Sequence, residues 1–223
     1  MKRFRSAELP RTVPQTVLRA LRESSTATLG HLTDFGFLRG LSPVGPVGRF
    51  AGPALTIRIP HVDSAAVHHA LSLVQPGDVI VIDQSGDDQR SSFGGTLAAI
   101  AADAGAVAAV SNGRTNDVEE IRALAFPVFS KGPTPMTTRI LGLEGQINVP
   151  VAIGGAAVLP GDIVFGDSDG VCIIPRCDAE AISDEMARLD ADPAIKSLRE
   201  TVAAGTPLAH VTGAAASFSE VDR

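Results

Sequence analysis

The stretch that most constrains this chain is Phe93 to Asp117, FGGTLAAIAADAGAVAAVSNGRTND. Gly94-Gly95-Thr96 offers bare backbone N–H groups at the start of a helix, where aligned peptide dipoles favour an anion. Leu97 to Ala104 is alanine-rich and helical by propensity. Gly105 stops that helix, and Ala106 to Val110 reads as a buried strand. The strand delivers Ser111, Asn112, Arg114, Asn116 and Asp117 into one polar loop. An anion cradle and a cluster of polar side chains therefore meet across two packed elements. Ligands of open α/β sheets sit there, beyond the carboxyl ends of the strands.

The flanking sequence supplies the rest of such a sheet. Val13 to Arg22 has helical spacing, and Thr26 to Leu32 opens a second short helix behind the cap cluster Ser24-Ser25-Thr26. Leu41 to Gly52 is a Pro/Gly-rich loop leading into Pro53 to Ile59, which alternates as a half-buried strand with Arg58 turned away from Leu55, Ile57 and Ile59. Ser64 to Val74 is a helix carrying His68 and His69, Val79 to Asp83 an apolar strand, and Gln84 to Ser92 a polar loop. After Asp117 come a helix over Val118 to Leu124 and a strand over Phe126 to Ser130. Two short strands follow within Val149 to Val158, about Gly154-Gly155. Asp167-Ser168-Asp169-Gly170 joins Ile163–Gly166 to Val171–Ile174 as a hairpin. Pro76-Gly77-Asp78 and Pro160-Gly161-Asp162 each open a strand, a shared local solution rather than a repeat because their flanks differ. Asp178 to Leu189 and Ala194 to Ala204 are helices, and the tail after Gly213 is small and polar. Alternating strands and helices early, with strands clustered late, give a layered α/β domain with a mixed sheet.

The 223 residues suit one domain, residues 1–223, with a core over about 41–175 and terminal helices over 13–33 and 178–204. A net charge of −6 argues against a non-specific nucleic-acid binder, and the absence of Trp and Tyr leaves base stacking to Phe alone. No leader-like apolar run follows the charged Met1 to Arg11, and no run is long enough for a bilayer, so the expectation is a soluble, cytoplasmic protein. Cys172 sits in an apolar run as a small core residue, and Cys177 forms no metal knuckle with it.

Each candidate residue has two readings. Gly94-Gly95-Thr96 cradles a carboxylate or phosphate, or is only a tight helix start; it is neither a Walker loop nor GxGxxG. Asp117 is a metal ligand, or it caps the helix that it opens. One carboxylate among Asn and Ser suits Mg²⁺, which keeps several waters. Arg114 clamps a substrate carboxylate, or pairs on the surface with Glu119 or Glu120. Asp87 and Asp88 precede the glycine turn and either reach the same cleft or belong to a solvated loop. Adjacent His68 and His69 cannot share a helix face, so one points outward and the other is partly packed. His31, His61 and His210 have no metal spacing, and no GxSxG or HExxH is present.

The ordered blocks LSPVGP, GPALTIR, PGDVIVID, GGTL, NGRTND-V-EEI, FPVF and INVPVAIGGAAVLPGDIVFGDSDGVCIIP resemble the RraA-like family. That family takes its name from the regulator of ribonuclease activity A and includes 4-hydroxy-4-methyl-2-oxoglutarate aldolases. The similarity covers about Leu41 to Pro175. It implies a three-layer β/β/α swivelling-type domain in a homotrimer or hexamer. It implies a divalent metal, Mg²⁺ or Mn²⁺, and a lyase that cleaves a 2-oxo acid to pyruvate or decarboxylates oxaloacetate, the metal acting as a Lewis acid. A ribonuclease-binding role belongs to the same family.

Carried over by position, the family's Arg-Asp pair falls on Asn116-Asp117, so the metal-anchoring aspartate is present and the arginine is not. The acidic residue usual 21 positions before that arginine is Gly95 here. The substrate carboxylate would lie over Gly94, Gly95, Thr96 and Leu97, with Arg114 as a substitute clamp and Asp190 or Asp192 as the acid lent by a neighbouring subunit. The expectation is a metal-dependent carbon–carbon lyase with an altered substrate, against a binding protein that has lost the chemistry.

Overall fold

A computed structural model describes residues 3–218. In chain order the elements are β1 (Phe4–Ser6), α1 (Gln15–Glu23), α2 (Thr26–Gly30), β2 (Ser42–Pro43), β3 (Phe50–Arg58), α3 (Ala65–Leu71) and β4 (Val79–Asp83). Next come β5 (Ser91–Phe93), α4 (Gly95–Asp103), β6 (Ala108–Ser111), β7 (Arg114–Thr115), α5 (Val118–Leu124), β8 (Val128–Ser130) and β9 (Gly145–Ile147). The chain continues through β10 (Val151–Ile153), β11 (Ala156–Val158), β12 (Ile163–Asp167), β13 (Gly170–Ile174), α6 (Ala179–Ala191), α7 (Pro193–Ala203) and α8 (Leu208–Val211), then a 3₁₀ turn at Ala214–Ser217. The tail expected after Gly213 lies partly outside the described residues.

Among the described residues nine strands form one mixed sheet, along the path β1-β9-β3-β4-β6-β8-β2 with β12 joined to β3 and β13 to β12. β3, β4, β6 and β8 run parallel, while β9, β12 and β2 pair antiparallel at the margins. Side-chain alternation sorts the parallel strands onto two faces. Leu55, Ile57, Ile80, Ile82, Ala109 and Val128 meet Val67 and Ala70 of α3, Ala98 and Ala101 of α4, and Ile121 of α5. On the opposite face Ala54, Val79, Val81, Ala108 and Val110 meet Val151, Ile153 and Val158 of the β10–β11 hairpin and Val164, Val171 and Ile173 of the β12–β13 hairpin. Each fully buried aliphatic side chain contributes about 1.5–3 kcal/mol. The result is the β/β/α layering that the resemblance implied.

The second face corrects the half-buried reading of Pro53 to Ile59. β3 begins at Phe50 and is buried through Ile57 because the hairpins cover the face that the alternation left to solvent. Thr56 on that face donates to the Val149 carbonyl at 2.6 Å. Arg58 does turn outward, with a guanidinium nitrogen 3.5 Å from Asp83.

α1, α2 and α6 form a third cluster with Phe165 and Cys172. The buried Asp167 carboxylate ties α2 to the β12–β13 turn by accepting from Thr26 N–H (2.8 Å) and Thr26 Oγ1 (2.6 Å). The two Pro-Gly-Asp turns share one device. Asp78 accepts from Gln75 N–H and Asp162 from Leu159 N–H, each at 2.9 Å and each three residues back. Among the described residues no helix is long and apolar enough to cross a membrane.

Candidate functional site

The stretch from Phe93 to Asp117 folds as a turn, α4, β6 and a returning loop, and the loop comes back to the start of α4. Two short contacts enforce the return. β5 and β7 pair in parallel, Ser91 with Arg114 and Phe93 with Thr115, and Thr115 Oγ1 donates to the Phe93 carbonyl at 2.6 Å. Gly94 is extended (φ −120°, ψ −168°), and its carbonyl accepts the first helical bond of α4, from Ala98 N–H at 2.9 Å. The N–H groups of Thr96 and Leu97 come before that bond, and no acceptor among the described residues takes them. They face the field of the helix N-terminus, which favours negative charge.

Asp117 stands opposite. Its backbone is left-handed (φ 55°, ψ 46°), a conformation that Asp tolerates better than most residues. The side chain makes no cap bond to α5. It reaches across instead, so that Oδ2 accepts from Asn116 Nδ2 at 2.6 Å and from Gly95 N–H at 3.3 Å. The capping reading fails because a cap needs an extended residue, and this one is left-handed. Oδ1 of Asp117 carries no protein hydrogen bond among the described residues.

Asn116 is held on both sides. Its Oδ1 accepts from Ser91 Oγ at 2.6 Å, which turns the amide nitrogen toward Asp117. The two glycines make room for this. A Cβ at Gly94 would fall 2.6 Å from Asn116 Nδ2 and 2.7 Å from its Cγ. A Cβ at Gly95 would fall 2.9 Å from Asp117 Cβ, 2.8 Å from Glu120 Cβ and on the Glu120 carboxylate. Glu120 thus brings a carboxylate beside Gly95, the position where the resemblance implied an acid.

Arg114 is placed elsewhere. Its Nε donates to the Asp88 carbonyl at 2.6 Å, and Nη1 approaches the carbonyls of Lys131 (3.3 Å) and Pro133 (3.4 Å). It pairs with neither Glu119 nor Glu120 among the described residues. It lines neither cleft beside Asp117, and it braces three loops rather than clamping over the glycine turn. Asn112 is likewise a brace, donating to Asp83 Oδ1 at 2.8 Å and accepting from Gln84 N–H at 2.7 Å.

A cleft of about 230 Å³ opens beside α4, walled by Ser92, Gly94, Thr96, Asn116, Asp117 and, from α3, His68. A second, of about 570 Å³, continues from Asn116 and Asp117 over Pro133 to Pro135. His68 and His69 are both exposed, against the expected split, because α3 turns its alanines and Val67 to the sheet. Sequence reading missed His68 and Glu120 near the glycine turn, since only the fold brings them there, and it passed over Ser92, two residues before Gly94. Asp87 also departs from expectation. It is buried, and its carboxyl titrates below the usual range: burial pulls it upward, and the Gln89 N–H and the Arg90 side chain outweigh that pull.

The donor set fits one kind of metal. Among the described residues no three His, Cys, Asp or Glu side chains gather as an all-protein cage. Asp117 offers one free carboxylate oxygen toward open space, which suits Mg²⁺ or Mn²⁺ held by one carboxylate, waters and substrate. Asp190 and Asp192 are engaged within the chain. Asp190 accepts from Ser24 Oγ (2.6 Å) and Thr28 Oγ1 (2.7 Å), and Asp192 caps α7 through Ala194 N–H (2.8 Å).

Known proteins resemble this chain in sequence and fold. A protein of Halalkalibacterium halodurans, named provisionally as a 4-hydroxy-4-methyl-2-oxoglutarate aldolase, is 36% identical over 152 residues, 68% of this chain and 72% of its own length. The 4-hydroxy-4-methyl-2-oxoglutarate aldolase of Thermus thermophilus is 32% identical over 132 residues, 59% of this chain and 79% of that protein. The crystal structure of Streptomyces coelicolor RraAS2, described as an unusual member of the RNase ES inhibitor RraA protein family, superposes with a TM-score of 0.72 at 30% identity, covering 84% of this chain and 98% of that one. The RraA-like family model, described as Aldolase/RraA, matches residues 26–173, and the chain belongs to that family.

Proposed function

We propose that this protein is a divalent-metal-dependent carbon–carbon lyase acting on a 2-oxo acid, of the pyruvate-aldolase or oxaloacetate-decarboxylase type. One observation carries the reading. Asp117, with one carboxylate oxygen free of protein hydrogen bonds among the described residues, and Thr96 and Leu97, with unpartnered N–H groups, line one cleft large enough for a small acid. Asp117 would hold Mg²⁺ or Mn²⁺ through that oxygen or a bound water. When bound, the metal supplies Lewis-acid polarisation of the 2-oxo carbonyl. Residues Gly94 to Leu97 receive the substrate carboxylate at the helix N-terminus, and Gly95 N–H and Asn116 fix the rotamer of Asp117. Arg114 holds the loop that carries both side chains. The names of the aldolase relatives support the reaction class.

The substrate differs from that of a relative with arginine at position 116. Asn116 is neutral, and its amide is directed to Asp117, so a carboxylate in the cleft loses a charge-assisted bond worth on the order of 2–5 kcal/mol when desolvated. The same feature favours a second reading, an RraA-like binding protein without aldolase chemistry, ribonuclease being one kind of partner. A homotrimer or hexamer in the cytoplasm suits both readings.

Oxaloacetate decarboxylation with and without Mg²⁺ or Mn²⁺ separates them, measured on the wild type, Asp117→Ala and Asn116→Arg. The lyase reading expects metal-dependent turnover that Asp117→Ala abolishes. Activity gained only in Asn116→Arg means an intact scaffold without its clamp, and silence in all three transfers the assignment to the binding protein.

A further inference from the structure

We propose that His68 is the proton-transfer residue of the cleft beside α4. It acts as a general base on the hydroxyl of a 4-hydroxy-2-oxo acid and returns the proton to the carbon left behind. The assignment rests on the lyase reading of the same cleft and supplies a group which that reading leaves out. Of the described side chains that wall this cleft, Asp117 and His68 alone titrate as acids or bases. Asp117 is given to the metal. Mg²⁺ and Mn²⁺ suit oxygen ligands, which leaves an imidazole outside their shell and free to carry a proton. Imidazole is the side chain that ordinarily gains and loses one in the physiological range.

The fold holds His68 at this wall. α3 buries Ala66, Val67, Ala70 and Leu71, and the opposite side carries Ser64 and His68, four residues apart and both on the cleft. The start of α3 is tied to the strap that closes the cleft. Ser64 N–H donates to the Arg139 carbonyl at 2.9 Å, and Asp63 Oδ1 accepts from Leu141 N–H at 3.0 Å. The same strap is fixed to β5, where Thr138 N–H donates to the Ser91 carbonyl at 2.8 Å. His68 is exposed, so its ring is open to a ligand. Among the described residues the His61 ring is engaged, 3.0 Å from the Ser85 carbonyl, and the His68 ring is not. The cleft holds about 230 Å³. Pockets for drug-sized ligands run to roughly 300–1,000 Å³, so a small acid seated here meets α3 as well as α4.

One base closes the proton balance. In the cleavage the 4-hydroxyl gives its proton to the imidazole as the C3–C4 bond breaks. The hydroxyl oxygen becomes the carbonyl of one product, and the bonding pair passes to C3 and the 2-oxo group as an enolate. The imidazolium then gives the proton to C3, which completes pyruvate and restores the neutral ring. No co-reactant is needed. Oxaloacetate decarboxylation differs, because carbon dioxide leaves without any base removing a proton. The two reactions therefore depend on His68 to different extents.

Exchange of the pyruvate methyl protons in D₂O, followed by NMR in Mg²⁺, isolates proton transfer at C3. It is measured with oxaloacetate decarboxylation, Mn²⁺ affinity and melting on the wild type, His68→Asn and His69→Asn, His69 lining a different cavity beside β1. General acid–base catalysis contributes about 10²–10⁴-fold, so His68→Asn should slow exchange at least about a hundredfold. Decarboxylation should fall at most about tenfold, with Mn²⁺ affinity and melting temperature held, and His69→Asn should match the wild type. Exchange in His68→Asn as fast as in the wild type overturns the assignment and leaves the lyase reading standing. Weakened Mn²⁺ binding, or equal losses in both reactions, also overturns it, because His68 would then hold metal or substrate. A wild type that neither decarboxylates nor exchanges overturns the assignment and the lyase reading together.

Discussion

Replacing Gly95 with alanine tests whether the spacing between α4 and α5 shapes the site. In an isolated helix the substitution would be favourable by about 1 kcal/mol, since alanine is the better helix former and restricts the unfolded chain. Here the new methyl would lie 2.8 Å from Glu120 Cβ and 2.9 Å from Asp117 Cβ, and would also fall on the Glu120 carboxylate. The carboxylate can swing aside; the two Cβ atoms are fixed to the backbone of α5 and its leading residue. Overpacking of this kind costs about 1–3 kcal/mol. Displacing Asp117 also loosens its 3.3 Å bond from Gly95 N–H, worth about 0.5–1 kcal/mol. The balance is a net loss of about 0.5–3 kcal/mol, or a melting temperature lower by roughly 1–12 °C in a chain of this size. Thermal unfolding followed by circular dichroism measures it. The double variant Gly95→Ala/Glu120→Ala should recover less than half of the loss, because alanine keeps the Cβ of residue 120. A single variant as stable as the wild type, or complete rescue by the double variant, would refute the argument that fixed backbone spacing requires glycine.

Two further outcomes follow from titrating groups. The carboxyl of buried Asp63 is held below its ordinary value of 3.8: burial pulls it upward, and the N–H groups of Leu141, Ala65 and Leu143 outweigh that pull. A depressed folded value means that its stabilisation is present above the ordinary value and is lost as pH falls through the folded one. Asp63→Asn should therefore melt lower than the wild type at neutral pH, with the gap closing as the pH falls below the ordinary carboxyl value of 3.8. The Cys172 thiol is pushed up to about 12 by burial and then by the Asp167 carboxylate, whereas Cys177 is exposed. A disulfide reagent at neutral pH should label one thiol per native chain and two after denaturation, and two in the native state would contradict the packing around Cys172.

The periodic elements were legible in the sequence because their causes are local. α5 occupies Val118–Leu124 as expected, and the hairpin turn at Asp167 to Gly170 closes where its residues say it should. Ala106-Val107 is not yet strand, for Val107 N–H bonds the Asp78 carbonyl outside the ladder and β6 starts at Ala108. β1 and β9 escaped notice for a related reason. Three residues each, they are defined by pairing with one another across the length of the chain rather than by any pattern of their own.

The site divides along the same line. Asp117, Asn116 and the glycine turn could be named from the sequence, yet the direction of each side chain could not. Asp117 opens a helix, and capping is the local rule for such a residue. A left-handed backbone cancels that rule and sends the carboxylate 22 residues back, to Gly95. Asn116 is fixed by Ser91, 25 residues away, and that bond decides which end of its amide meets Asp117. Once the amide is set, the neutrality of the cleft follows. Arg114, the nearest cation in the loop, is bound to the carbonyls of Asp88, Lys131 and Pro133, because β5–β7 pairing carries it to the far side of the turn. Having Asn116 where the resemblance implied an arginine therefore does more than delete one contact. A carboxylate and two free amides line one cleft, and any acid bound there must be recognised without an arginine at position 116.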